Sequence, residues 1–191
     1  KFRQKSYLFL LLAMLFCFAC AAFFEYSTAF FDTSKWNVER FQRVLNEKER
    51  TAEEQLTQMA NLVNRGDINA IKHLDFEDND ISYYVYVGNT LVFWSQNNYD
   101  VTKLRLENLK KEQYVTLQKT EFIAKSLHNN DVFLLALIKL KDNFDYENDY
   151  IKNDYAKGFR LNKNYKIFTE HSTDKIAVFS RSGTYLFSLY D

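Results

Sequence analysis

The sequence predicts an α+β protein in which a long helix packs on an antiparallel sheet. Residues 35–65 have a helical composition and contain no glycine before Gly66, which is a candidate C-terminal cap. From about residue 81 the composition changes to short runs of β-branched and aromatic residues, which are typical of strands. A Gly-Asn pair between two such runs indicates a hairpin. The 191 residues suit a single domain with its own core.

The chain begins with basic residues followed by an uncharged apolar stretch, residues 7–24. Extended by its flanking residues to 7–26, this stretch approaches the ~30 Å thickness of a bilayer core. We therefore predict a transmembrane helix over 7–26, with residues 1–6 in the cytoplasm because basic residues remain on that side. The expected location is the inner membrane, with residues from about 27 forming a sensor domain that faces the periplasm. A cleaved signal peptide is the alternative.

The long helix predicted over about 35–65 carries an apolar stripe along one side. The stripe repeats every 11 residues and places Phe41, Ala52 and Val63 in register, while Lys48 interrupts it. Such a repeat keeps the stripe on one face of a nearly straight helix. The face could pack on its own domain or pair with a second copy of the chain, and both alternatives remain open. A homodimer is the expected assembly.

Residues from about 81 to 191 form the predicted mixed α/β part. Strands are predicted at 81–87, 90–95, 114–119, 121–126, 132–140, 165–169, 175–180 and 184–190. The run 132–140 is almost continuously apolar, which indicates a central strand buried on both faces. Residues 96–109 are polar and irregular, and a short helix is predicted over 146–157, ending at Gly158.

Charge and motif content exclude several classes of function. The formal net charge is zero, so nothing indicates a nucleic-acid partner. Cys17 and Cys20 lie within the apolar stretch, and His73, His128 and His171 are isolated, so we predict neither a metal site nor a cofactor. No nucleophile, base and orienting group can be assembled from the sequence, which makes an enzyme the least favoured reading of this chain.

Aromatic residues of the first hairpin supply the candidate ligand-binding site. Trp94 offers a stacking face and Asn97 can donate and accept hydrogen bonds, while Tyr84 and Tyr86 add aromatic rings with polar tips. Residues 96–109 follow directly and could fold over the sheet as a lid. In the structural alternative, Trp94 belongs to the core and Asn97 caps the turn.

Three segments resemble the sensor region of Bacteroidetes-type sensor histidine kinases. Residues 84–97, YVYVGNTLVFWSQN, resemble a strand–turn–strand unit ending in Trp-Ser-x-Asn. Residues 135–161 resemble an apolar strand followed by a Tyr-Glu-Asn-x-Tyr helix, and residues 185–189 resemble the strand before a second membrane helix. The resemblance implies a PAS-like or Cache-like sensor domain without specifying its ligand. The phosphoacceptor helix and the ATP-binding domain are missing, so they and a second apolar span are expected after Asp191.

The function predicted from these features is a membrane-anchored, extracytoplasmic sensing domain of a two-component histidine kinase. A small-molecule or protein signal would act through the long helix on the kinase, and the kinase would act on a response regulator. The fragment itself is not expected to be an enzyme, whereas the whole protein would transfer phosphate. The alternative is an anchored envelope protein that binds a protein partner and has no kinase.

Overall fold

The computed structural model describes residues 13–23, 33–129 and 131–190. The chain divides into two units, Lys1–Trp36 and Asn37–Asp191, and the second contains both sheets. A helix, α1, spans Thr33–Asn64, close to the predicted 35–65. The structure is a sheet-rich α+β fold, as the helical and β-type patterns of the sequence indicated.

The transmembrane prediction is corrected by the structure. Residues 13–23 are helical, whereas the rest of the predicted span 7–26 lies outside the described residues. Across the three described ranges, no helix combines the length and apolar character needed to cross a membrane. The inner-membrane anchor, and the periplasmic location that depended on it, are therefore not supported.

Helix α1 ends in a backbone motif that depends on Gly66. The amide of Gly66 donates to the carbonyl of Val63 at 2.9 Å, and the amide of Asp67 donates to that of Leu62 at 3.0 Å. These two bonds form a Schellman motif, in which the residue after the cap has a positive φ. Gly66 has a φ of +76°, which confirms the predicted cap.

Replacing Gly66 by alanine is expected to lower the free energy of unfolding by about 1 kcal/mol, because alanine is strained at positive φ. The added Cβ atom would meet no atom within 4 Å, so backbone strain is the only cost. Urea denaturation measures the change. Gly66→Asn is the matched control and should lose less, since asparagine tolerates this conformation better; equal losses would contradict the explanation.

Five antiparallel strands form the large sheet. They are β1 (Ile81–Val87), β2 (Thr90–Trp94), β3 (Glu112–Leu117), β4 (Thr120–Asn129) and β5 (Val132–Asp142). Their order is β2-β1-β5-β4-β3, so β5 is central, as its apolar sequence predicted. Gly88, with a φ of +57°, and Asn89 form the predicted turn between β1 and β2. A second, three-stranded sheet has the order β6-β8-β7 and contains β6 (Lys166–Phe168), β7 (Ile176–Phe179) and β8 (Tyr185–Tyr190).

The apolar stripe of α1 is buried within its own domain. Phe41, Leu45 and Ala52 have no exposed surface and join a core that includes the inner face of the large sheet. The ring of Phe41 stacks on that of Phe159, with 4.3 Å between the ring centroids. Of the two alternatives left open by the sequence, the structure selects packing within the domain, because a surface covered by the core cannot also pair with a second copy.

Lys48, which interrupts the stripe, is buried with its charge neutralised. Its Nζ atom lies 2.7 Å from Asp78 Oδ2 and 3.1 Å from Asp80 Oδ2. Its side chain also limits the space at Gly158, where a Cβ atom would lie 3.3 Å from Lys48 Cε. The polar segment before β1 therefore supplies the carboxylates that a buried lysine requires.

The predicted helix over 146–157 is wrong, because this segment forms a loop tied by side chains. Asn148 Oδ1 accepts hydrogen bonds from the amides of Tyr150 and Ile151. Asn153 binds the backbone of Phe144 through both amide atoms, at 2.6 and 2.9 Å. Asparagine side chains that satisfy backbone groups in this way compete with helix formation. A short 3-10 turn at Lys157–Phe159 is the only helical structure described at the end of this loop.

Candidate functional site

The face of the large sheet opposite α1 is covered by the segment linking β2 to β3. We call residues 96–109 the covering segment; it contains 3-10 turns at Val101–Lys103 and Leu106–Asn108. Its apolar side chains pack on the aromatic and aliphatic residues of β1, β4 and β5. The packed side chains are Tyr99, Val101, Leu104, Leu106 and Leu109. The covering segment therefore lies over the sheet in the position that the lid hypothesis requires.

Hydrogen bonds attach the N-terminal part of the covering segment to residues outside it. The Gln96 side chain donates to the Asn79 carbonyl at 3.1 Å, and the amide of Asp100 donates to Gln118 Oε1 at 3.2 Å. Farther along, the amides of Leu104 and Leu109 donate to carbonyls within the segment itself. The middle of the segment is thus held to the sheet chiefly by apolar side chains. It can therefore move without breaking the hydrogen bonds between the strands.

Two of the predicted site residues, Tyr84 and Tyr86, lie under this cover. Their exposed fractions are 1% and 6%; the hydroxyl of Tyr86 has no hydrogen-bond partner among the described residues, whereas that of Tyr84 interacts with Ser82. Burial raises the pKa of Tyr84, and burial together with the neighbouring Tyr84 raises the pKa of Tyr86 to about 12. Both groups are therefore neutral hydrogen-bond donors at physiological pH. Buried hydroxyls are normally satisfied, so the unsatisfied hydroxyl of Tyr86 needs an explanation.

A cavity of about 480 Å³ opens beside Tyr86, between the sheet and the covering segment. Its size falls within the range of small-molecule sites. Its wall combines apolar side chains with a few polar groups at the rim. The lining residues are Tyr86, Asn89, Leu91, Val101, Thr102, Leu104, Arg105, Leu106 and Glu107. A small, largely apolar molecule with one hydrogen-bond acceptor fits this composition.

Of the four predicted site residues, only Tyr86 lines this cavity. Trp94 pairs with Tyr84 across the strands and so shares its face, but 49% of Trp94 is exposed, which excludes the core role considered from the sequence. Asn97 is exposed on the covering segment. Neither residue lines the cavity beside Tyr86. The structure therefore brings Tyr84 and Tyr86 together beneath the cover and places Trp94 and Asn97 at its edge.

A buried charge cluster, which sequence reasoning missed, joins α1 to both sheets. Lys125 on β4 is 3% exposed, and its Nζ atom lies 2.9 Å from Glu49, 2.6 Å from Glu53 and 3.3 Å from Glu112. The amide of Arg181 donates to Glu49 Oε2, which adds the turn after β7 to the cluster. The only signal in the sequence was a lysine amid the apolar residues of a predicted strand.

The charge cluster suits a structural role better than a chemical one. Burial lowers the pKa of Lys125, but hydrogen bonds and charges from Glu53 and Glu49 outweigh that effect and raise it. Burial opposes ionisation of Glu112, yet hydrogen bonds from Ser182, Thr184 and Ser180, with the charge of Lys125, lower its pKa to about 2. A lysine that stays protonated and a carboxylate that stays ionised cannot exchange protons near neutral pH.

The described residues contain no cluster of three or more metal-ligating side chains. His128 and His171 each contact an aromatic ring, Phe133 and Tyr185 respectively, rather than a second ligand.

Comparisons with known proteins find no match among family models, curated proteins or solved structures. The functional argument therefore depends on the geometry of the covered face.

Proposed function

We propose that this chain is the signal-sensing domain of a two-component histidine kinase and binds a small ligand under the covering segment. The observation that carries the proposal is the unsatisfied, buried hydroxyl of Tyr86 in the wall of an open cavity. A ligand bearing a carboxylate or carbonyl oxygen would accept a hydrogen bond from this hydroxyl and recover the cost of burying it. Its apolar body would contact Leu104 and Leu106 of the cover.

Because side chains alternate along β1, a ligand that binds one face of this strand can affect the packing of α1 on the other face. Tyr84 and Tyr86 face the covering segment, whereas Tyr83 and Val85 belong to the core that also contains the stripe of α1. A ligand that shifts β1 by binding one face must therefore repack the other face. Because packed cores switch between discrete arrangements, such a shift can bias the position of the long helix.

The kinase part of the proposal is supported by the resemblance of residues 84–97 and 185–189, and of the apolar strand at the start of residues 135–161, to sensor histidine kinases; the helix that the last resemblance implies is a loop in this chain. The antiparallel sheet with a long helix on one face is compatible with the PAS-like build that the resemblance implies. In this proposal the covered face receives the signal, and the kinase passes it to a response regulator by phosphate transfer. A homodimer remains the expected assembly, formed through surfaces other than the buried stripe of α1.

Replacing Tyr86 by phenylalanine tests the ligand site. We expect the free energy of unfolding without ligand to stay the same or rise by about 1 kcal/mol, because an unsatisfied buried hydroxyl is removed. The affinity for the best ligand in a panel of butanoate, benzoate, phenylacetate and cyclohexanone should fall about tenfold or more. Urea denaturation measures the first change, and calorimetric titration measures the second.

Tyr155→Phe is the matched control, because the Tyr155 hydroxyl donates to the carbonyl of Tyr165 at 3.0 Å. This variant should lose about 1 kcal/mol of stability and keep the affinity. Failure of every panel member to bind the unmodified chain, or equal affinity in Tyr86→Phe, would contradict the proposed site. The kinase output is tested separately in the protein as its gene encodes it, where ligand should change autophosphorylation from ATP. A gene without a kinase would refute that part.

A further inference from the structure

A second, polar cavity lies on the opposite face of the large sheet from the covering segment. It measures about 680 Å³ and is bordered by the ends of β4 and β5, by β6, and by the loops that contain Glu147 and Lys163. Its floor carries two charged side chains that are both more than nine-tenths buried, Glu121 and Lys141. This cavity shares no residue with the one beside Tyr86.

A β-bulge places these two floor residues side by side. Glu121 pairs with Lys141, but the next pair is Phe122 with Lys139, so Leu140 is an extra residue on β5. The bulge breaks the alternation along β5 and turns Lys141 to the face on which Glu121 lies. Simple alternation places Lys141 on the face of Lys139 instead, so the sequence pattern does not reveal this pair.

The donors of Lys141 are already committed within the protein. Its Nζ atom donates to the carbonyls of Lys163 and Tyr165, at 2.8 Å in each case, and lies 4.7 Å from the centre of the Tyr155 ring. Glu121, in contrast, has an Oε2 atom with no hydrogen-bond partner among the described residues. Burial raises the pKa of Glu121, although the charge of Lys141 and a hydrogen bond from the Tyr114 hydroxyl partly stabilise the ionised carboxylate.

The rim of the cavity carries an unpaired positive charge, opposite in sign to the carboxylate of Glu121. Lys166 at the start of β6 is exposed on the rim and forms no ion pair with another described residue. Lys163 is also on the rim, where its Nζ atom lies 3.2 Å from Glu147 Oε2 across an exposed pair. The cavity therefore presents a buried acceptor at its floor and an exposed cation at its mouth. A ligand that does not carry both charges could pair with the carboxylate of Glu121 or with the ammonium group of Lys166, but not with both.

We propose that this cavity binds a small zwitterion with the chemistry of a free amino acid, its ammonium group on Glu121 and its carboxylate toward Lys166. The ammonium group supplies a donor to the unsatisfied Oε2 atom of Glu121, and a hydrogen bond to a buried charge is among the stronger polar contacts. The carboxylate would take its partner from the solvated rim, where Asn164 adds a polar side chain. Side chains of different size can be accommodated because the cavity is several times larger than a single ammonium group.

The direct test is calorimetric titration of the full chain with a panel of free amino acids that includes L-alanine, L-glutamine, L-arginine and 4-aminobutanoate. At least one should bind, and its analogue lacking the amino group should bind at least about tenfold more weakly. Glu121→Gln keeps the shape of the side chain and should reduce the affinity about ten- to a hundredfold. Lys166→Gln on the exposed rim should reduce it less, because solvent screens that charge.

Two controls keep the test decisive. Glu170→Gln changes an exposed carboxylate outside the cavity and should leave the affinity unchanged. Tyr86→Phe changes the other cavity and should also leave amino-acid binding intact, so failure of one site is distinguished from failure of the other. The inference is overturned if no panel member binds, or if the Glu121→Gln and Lys166→Gln variants both bind as tightly as the unmodified chain.

Discussion

Replacement of Lys125 by methionine is expected to lower the free energy of unfolding by about 3–5 kcal/mol. Methionine keeps most of the side-chain volume but removes the charge that faces Glu49, Glu53 and Glu112 at 2.6 to 3.3 Å. The loss is large because Glu49 has no exposed surface and would be left as a buried carboxylate without its cation. Urea denaturation at neutral pH measures the change.

The pH dependence of this loss gives an independent check. Burial raises the pKa of Glu49 despite the hydrogen bond from Lys125. A carboxyl whose pKa is higher in the folded than in the unfolded state contributes stability below its unfolded pKa, and this contribution is lost as the pH rises through the folded pKa. Without Lys125 that pKa should rise further. The deficit of Lys125→Met should therefore shrink as the pH is lowered from neutral toward the range in which Glu49 takes up a proton.

Lys103→Met is the control for the charge-cluster variant. Lys103 lies 3.9 Å from Asp100 in an exposed pair, and such pairs contribute at most about 1 kcal/mol. Its deficit should be small and should show no comparable recovery at low pH. If Lys125→Met were as stable as this control, the cluster could not be the junction that holds α1 to the two sheets.

Replacement of Phe41 by alanine has the second large expected effect, a loss of about 3–5 kcal/mol. Phe41 has no exposed surface, and its ring contacts the rings of Phe159, Tyr155 and Phe187 at centroid distances of 4.3 to 6.1 Å. Truncation would leave a cavity between α1 and the second sheet, since three aromatic rings cannot all move to fill the space. Urea denaturation with an unchanged denaturant dependence would show that stability, rather than compactness, has changed.

Arg43→Ala, an exposed change two residues along the same helix, is the control and should alter stability by no more than about 0.5 kcal/mol. The pair of variants also tests how the stripe of α1 is used. If the stripe paired two copies of the chain, Phe41→Ala would make the melting temperature or oligomeric state more dependent on protein concentration. Packing within the domain predicts the same loss at every protein concentration.

The two cavities give the proposed sensing domain separate chemical preferences. The cavity beside Tyr86 offers neutral donors under an apolar cover, whereas the cavity at Glu121 offers a buried acceptor and an exposed cation. Because β4 and β5 border the Glu121 cavity and also carry residues of the core beneath the covering segment, binding at either site would affect the same central strands. Comparing the variants Tyr86→Phe and Glu121→Gln shows separately what each cavity contributes to ligand binding.

The sequence by itself determined the elements whose signals are local. The helical composition before Gly66 predicted α1, the Gly88-Asn89 pair predicted the first hairpin, and the apolar run in β5 predicted a strand buried on both faces. Each of these signals depends on residues that are neighbours in the chain, so no knowledge of distant contacts is needed. The aromatic excess of β1 also directed attention to Tyr84 and Tyr86, although not to the unsatisfied hydroxyl of Tyr86.

Only the tertiary structure decided the features that depend on residues distant in the chain. An apolar stretch near the N-terminus has the composition of a membrane span, but among the described residues no helix meets the combined requirements of length and apolar character for crossing a bilayer. The segment containing Asn148 and Asn153 was predicted to be a helix, yet these side chains bond the backbone of a loop instead. The partners of Lys125 lie 13 to 76 residues away, and the pairing of Glu121 with Lys141 depends on a bulge. Charges that are scattered along a chain become a junction or a binding site only when folding removes them from water together, because burial makes the choice of partner energetically decisive.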